Sequence, residues 1–180
     1  MIHRTAVTRV LLAVLCIAIA PALACAQAIP AACRPLVDAR KKQIMTPYHA
    51  YATEGQGAGA TTHESISTGG ITYIQYRGQW RRSPLTPQAA LEQLQENLAD
   101  AKGFSCQVVG DETVAGVPAT VYTSHEENDD IKADARTWVA KGSVLVLRTE
   151  EDLDTGGPLG KRQISIRYEY ANVRAPAGVR

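Results

Sequence analysis

Residues 161–170, KRQISIRYEY, constrain this chain more than any other stretch. Ile164, Ile166, Tyr168 and Tyr170 alternate with Gln163, Ser165, Arg167 and Glu169. A period of two puts the first set on one side of a strand and the second on the other. Residues 137–150, TWVAKGSVLVLRTE, are also rich in β-branched and aromatic side chains and bounded by turn residues. A sheet that is apolar on one side needs a covering layer, or leaves that side open to an apolar ligand. The functional question is which of the two happens here.

The rest of the chain supplies strands to pair with this one, and helices to cover it. Residues 31–45 read as a short helix. Leu36, Val37, Arg40, Ile44 and Met45 form its stripe, Pro35 suits its first turn, and Thr46-Pro47 stops it. The period then switches to two. Strands are expected at 48–54, 61–68, 71–77 and 80–82, with hairpin turns at Gly69-Gly70 and Gly78-Gln79. Thr86-Pro87 opens a second helix on which Leu91, Leu94, Leu98 and Ala101 recur at three- and four-residue steps, and Gly103 is its expected C-terminal cap. A second meander follows, with strands at 104–110, 119–124, 135–140, 144–149 and 161–170. A bend is expected at 114–118, an acidic loop at 125–130 (HEENDD) and a loose loop at 154–160. With no strand–helix–strand spacing, a parallel sheet is not expected. The fold class is α+β: one strongly curved antiparallel sheet of about nine strands, with two helices on its concave side.

The N-terminus reads as an export signal. His3, Arg4 and Arg9 precede an apolar run of 11 residues at 10–20, too short to span a bilayer, and Ala26-Gln27-Ala28 fits a cleavage site. Residues 1–28 are the expected signal peptide and 29–180 a single domain, periplasmic or secreted. The alternative is a lipid anchor at Cys25, although the leucine of the preceding Ala22-Leu23-Ala24 stands one place off the usual lipoprotein pattern. Without Arg4 and Arg9, 17 basic residues face 18 acidic ones, so no basic field is expected to attract nucleic acid or an anionic membrane. Cys33 and Cys106 remain, and an exported chain with two cysteines most simply pairs them; two free thiols are the alternative.

Four segments together resemble the lipoprotein-carrier (LolA/LolB-like) superfamily. They are Tyr73-Ile74-Gln75-Tyr76-Arg77-Gly78-Gln79-Trp80, the Gly116-Val117-Pro118 hairpin, Trp138-Val139-Ala140-Lys141-Gly142, and the closing Tyr170-Ala171-Asn172. The resemblance covers most of the chain after residue 28, and its signatures are those of hairpins. It implies an unclosed β-barrel whose helices form a lid over an apolar cavity for acyl chains. The superfamily also holds envelope stress-sensing modules and lipid or glycolipid binders, so a lipid, a lipoprotein acyl chain or an envelope protein are the partners it implies. This chain departs from the pattern in its shorter length, its one phenylalanine and a helix-to-sheet disulfide that would restrict the lid.

On that reading the ligand-binding residues are Trp80, Leu94, Leu98, Val121, Trp138, Leu145, Leu147, Ile164, Ile166 and Tyr168. The alternative is that the same side chains form a dry core, because inward-facing strand residues look alike in both cases. Each tryptophan carries an N–H that needs a partner when buried. No catalytic residue is expected: Ser65, Ser83, Ser124 and Ser143 lack a nucleophile elbow. No metal or other cofactor is expected either. His49, His63 and His125 have no ligand spacing, and Glu126, Glu127, Asp129 and Asp130 lack the order and glycine of a calcium loop. A monomeric, non-catalytic binding protein is the expectation, with an interaction or stress-sensing module as its alternative.

Overall fold

The computed structural model describes residues 29–179 apart from 56, 130 and 157–159. The expected signal peptide, its cleavage site and Cys25 lie outside these, as does Asp130 of the acidic loop.

A 3-10 turn, Ala31–Cys33, leads into helix α1 (Arg34–Met45), which carries proline in its first turn. Strands β1 (Tyr48–Glu54), β2 (Thr61–Thr68), β3 (Ile71–Tyr76) and β4 (Gln79–Arg82) form the first meander. Helix α2 (Pro87–Asp100) follows, capped where the Ala89 N–H donates to the Thr86 hydroxyl at 3.2 Å. Strands β5 (Gly103–Val114), β6 (Val117–Glu127), β7 (Lys132–Ala140), β8 (Val146–Asp154) and β9 (Lys161–Glu169) form the second meander. Two-residue turns close the β2–β3 and β5–β6 hairpins. Gly69-Gly70 and Ala115-Gly116 take positive φ at both positions, the geometry that matches strand twist.

All nine strands belong to one antiparallel sheet, in the order β4-β3-β2-β1-β9-β8-β7-β6-β5. The expected fold class is therefore observed: one unclosed, curved antiparallel sheet with two helices. Strand β9 ends the sheet in sequence but lies in its middle, where it pairs with β1 and joins the two meanders. Small residues of β1 face large ones of β9: Ala52 opposes Ile166 and Ala50 opposes Tyr168. Strands β4 and β5 are the two free edges, and α2 carries the chain from one to the other.

Local boundaries shift in the second meander and at the end of α2. The second meander has longer strands than the turn residues suggest. β6 runs on to Glu127, so His125, Glu126 and Glu127 of the expected acidic loop are strand residues paired with β7. β7 starts at Lys132 and β8 runs from Val146 to Asp154, displaced from the expected 144–149. β5 continues through a bulge between Val108 and Gly110 to Val114, so the expected bend is a tight hairpin. Gly103 is not a helix cap: α2 ends at Ala101 in extended conformation and Gly103 opens β5. In each, cross-strand hydrogen bonds extend pairing through polar sequence that has no strand signature of its own.

Cross-strand partners share a face of the sheet. One row runs Tyr122, Thr137, Thr149, Ile166, Ala52, and the next runs Ser124, Ala135, Glu151, Ile164, Glu54. This face lies under the helices. Leu36 and Ala39 of α1 pack with Tyr122, Val139 and Val146, with Cys106 and Tyr168 beside them. The α1 stripe is not the expected one: Ala39 and Gln43 are buried, whereas Met45 is exposed. Cys33 and Cys106 form a disulfide with Cα atoms 5.2 Å apart, tying the turn before α1 to edge strand β5.

Candidate functional site

The ten residues expected to line one apolar cavity do not meet around one space. Register divides them. Ile164, Ile166 and Tyr168 lie on the helix-covered face, with Leu94 and Leu98 of α2 above that face. Val121 pairs with Trp138, and Ala119, Val121 and Trp138 cluster with Val114 and Leu147 on the opposite face. Trp80, paired with Gln75, is also on that opposite face, where its ring meets the His49 ring edge-on at 6.3 Å. Leu145 precedes β8, in the turn from β7. The apolar runs of β6–β8 carry large side chains to both faces, so alternation alone did not assign them.

Beneath the helices the space is nearly filled. The crevice between Leu36, Val37 and Arg40 of α1, Leu94 and Leu98 of α2, and Phe104, Ala133 and Ala135 of the sheet has a volume of about 30 Å³. That is room for about one water, far below the few hundred Å³ of a ligand pocket. Its walls also carry Glu126 and Glu151. Burial holds the Glu126 carboxyl above its ordinary pKa, with Glu151 pushing the same way and Arg40 opposing. Burial pushes the Tyr168 phenol up to about 12. Tyr48 and Tyr170, also raised by burial, flank it, and the Tyr170 hydroxyl donates to the Val146 carbonyl. These half-buried tyrosines pack on one another.

Cover is uneven along this face. Of the apolar row on α2, Leu98 and Ala101 are buried while Leu91 and Leu94 are half-buried. Ile164 and Ile166 are half-buried below. The α1 side is packed and stapled; the α2 side is held more loosely.

The opposite face has no helix and is closed by side chains of the sheet itself. Trp138 is only 4% exposed there. The guanidinium groups of Arg136 and Arg148 lie over its ring at 5.1 and 5.0 Å, and its indole N–H donates to Glu112 at 2.7 Å. Arg167 sits over Tyr51 at 4.4 Å in the same row. Two open grooves of about 600 and 610 Å³ lie on this face. Thr123, Arg136, Glu150, Ser165 and Thr53 form one row of their lining, and Asp134, Asp152 and Gln163 the next. Most of their lining side chains are polar and lie on the side of each strand that the sequence marks only as wet.

No group of three His, Cys, Asp or Glu that could hold a metal ion occurs among the described residues. Glu127 pairs with Lys132, and Asp129 with Lys102. No helix among the described residues is long and apolar enough to cross a membrane.

An unclosed antiparallel sheet with two helices on one face is the architecture expected from the hairpin segments. No family model and no curated protein matches the chain. Among solved structures the chain is similar to LprF from Mycobacterium bovis, at 12% identity and a TM-score of 0.48 over 83% of this chain and 98% of that one. It is similar to the lipoprotein LppX from Mycobacterium tuberculosis, at 14% identity and a TM-score of 0.44 over 79% and 95%. It is also similar to MucB, at 16% identity and a TM-score of 0.48 over 82% of this chain and 63% of that one. At such overlaps the fold is read from the strand order and not from these neighbours.

Proposed function

We propose that this chain is a non-catalytic, exported binding protein of the cell envelope that takes a lipid or other apolar chain between α2 and the sheet. The observation that carries the reading is the asymmetry of the cover. The disulfide and a packed core hold α1, while α2 leaves its Leu91 and Leu94 half-buried, and Ile164 and Ile166 on the same face of the sheet are half-buried as well. An acyl chain needs far more than the about 30 Å³ present beneath the helices, so α2 swings aside to admit it. The apolar surface that α2 uncovers, Phe104, Ala133 and Ala135, becomes the floor of the site. Trp80, Val121, Trp138 and Leu147 belong to the other face and do not line it. Displacement of a fluorescent fatty acid, with native mass spectrometry of gently purified protein, tests this. The expected result is saturable displacement and a retained lipid mass; neither being seen refutes it.

A second reading rests on the same volume. A filled crevice favours an interaction module that binds another envelope protein and carries no lipid. Co-purification of one envelope protein with a lipid-free chain supports this reading over the first.

A further inference from the structure

The β3–β4 hairpin forms a free edge of the sheet, and it presents exposed apolar side chains beside exposed arginines. Register places Ile74 opposite Arg81 and Tyr76 opposite Gln79, so all four share the helix side of the sheet. Ile74 is 40% and Tyr76 47% exposed, although both are large and apolar-bodied. Two guanidinium groups gather on the tyrosine: Arg77 at 5.2 Å from the ring centre and Arg81 at 5.4 Å. Arg82, also exposed, follows on the same edge strand but pairs with Tyr73 on the other face of the sheet.

None of these three arginines has a carboxylate partner among the described residues. By contrast Arg136, Arg148, Arg162 and Arg167 on the central strands each hold one. Two like charges brought to one ring repel, and an anion between or above them relieves that repulsion. A free phosphate ion would satisfy the charge and leave Ile74 and Tyr76 in water. A layer that offers anionic headgroups above hydrocarbon satisfies both: the guanidiniums meet phosphates and the tyrosine ring sits at the boundary between them. With the charges of the whole chain nearly balanced, such attraction is local to this hairpin.

From this juxtaposition we infer that the β3–β4 hairpin, through Arg77, Arg81 and Tyr76, docks the protein on a membrane surface rich in anionic phospholipid. The inference is independent of a ligand site beneath α2. Co-sedimentation with phosphatidylcholine vesicles, with and without phosphatidylglycerol, tests it. Binding is expected only with phosphatidylglycerol and weakens as salt is raised. Each arginine contributes about fivefold in affinity, so R77Q/R81Q loses roughly 25-fold. The positions are exposed, and an unchanged melting temperature confirms the variant's fold. R77Q/R81Q retains whatever fatty-acid displacement the wild type shows, which separates this surface from the α2 crevice. Equal binding to neutral vesicles, or wild-type binding by R77Q/R81Q, overturns the inference. So does competition by inorganic phosphate at low millimolar levels, which indicates a free-anion site. Stronger binding to polyglutamate than to vesicles assigns the patch to an acidic protein and overturns it as well.

Discussion

Removing the Cys33–Cys106 bridge tests the energetic role of the one covalent tie between a helix and the sheet. The sulfurs join residues 73 apart in sequence, and the described chain between them includes α1, the whole first meander and α2. Opening a loop of that length frees the unfolded chain by roughly 4 kcal/mol on the loop-closure model. For a domain near 150 residues, each kcal/mol moves the melting temperature by roughly 2–4 °C, so the fall is about 8–16 °C. Cys33 is fully buried and Cys106 packs on the Leu36–Tyr122 cluster, so Cys33→Ala/Cys106→Ala adds a modest packing loss to the entropic one. β5 is an edge strand without an outer partner, which concentrates the loss at that edge and at the start of α1. The assay is thermal unfolding followed by circular dichroism, for wild type with and without reductant and for the double variant. Reduced wild type melts within a few degrees of the variant, both well below oxidised wild type. A shift of a degree or less on reduction refutes the loop-closure argument. Two free thiols in the unfolded, unreduced protein refute the bridge itself.

Two further outcomes follow from groups on the helix-covered face. Thr137 is fully buried there and its hydroxyl has no hydrogen-bond partner, so Thr137→Val is expected to raise unfolding stability by about 1 kcal/mol in urea titration. Glu126 has its carboxyl pKa raised by burial, so folding favours the protonated form. That contribution is full below the ordinary glutamate range and is lost as pH rises through the folded value. Glu126→Gln therefore melts higher than wild type at neutral pH, and the two converge as wild type is acidified below that range; a constant gap at all pH values refutes the assignment.

Much of the secondary structure is legible from local pattern because its causes are local. The alternation at 161–170 records the two environments of β9: Ile164, Ile166 and Tyr168 are half-buried while Gln163, Arg167 and Glu169 are exposed. Thr86-Pro87 marks the start of α2 because capping is settled within one turn. The longer strands were less legible. Residues 125–127 read as an acidic loop, yet β7 supplies hydrogen bonds that hold them extended, and Lys132 pairs with Glu127.

The site was the least legible part. An apolar residue at a given strand position is the same letter whichever face it takes and whatever covers it. Trp138 and Tyr168 both read as lining residues; one is covered by Arg136 and Arg148 on one face, the other by α1 on the opposite face. The sequence by itself determined the two helices, the Gly69-Gly70 hairpin turn and the approximate number of strands, because each depends on neighbours in the chain, whereas the Cys33–Cys106 bridge joins residues 73 apart and the sequence only allowed it. Only the tertiary structure decided that KRQISIRYEY is the central strand, with β1 on one side and β8 on the other. The β1–β9 pairing joins residues more than a hundred positions apart, and nothing local to either strand selects it. That pairing leaves β4 and β5 as free edges, makes α2 cross between them, and so determines which face of the closing strand is covered.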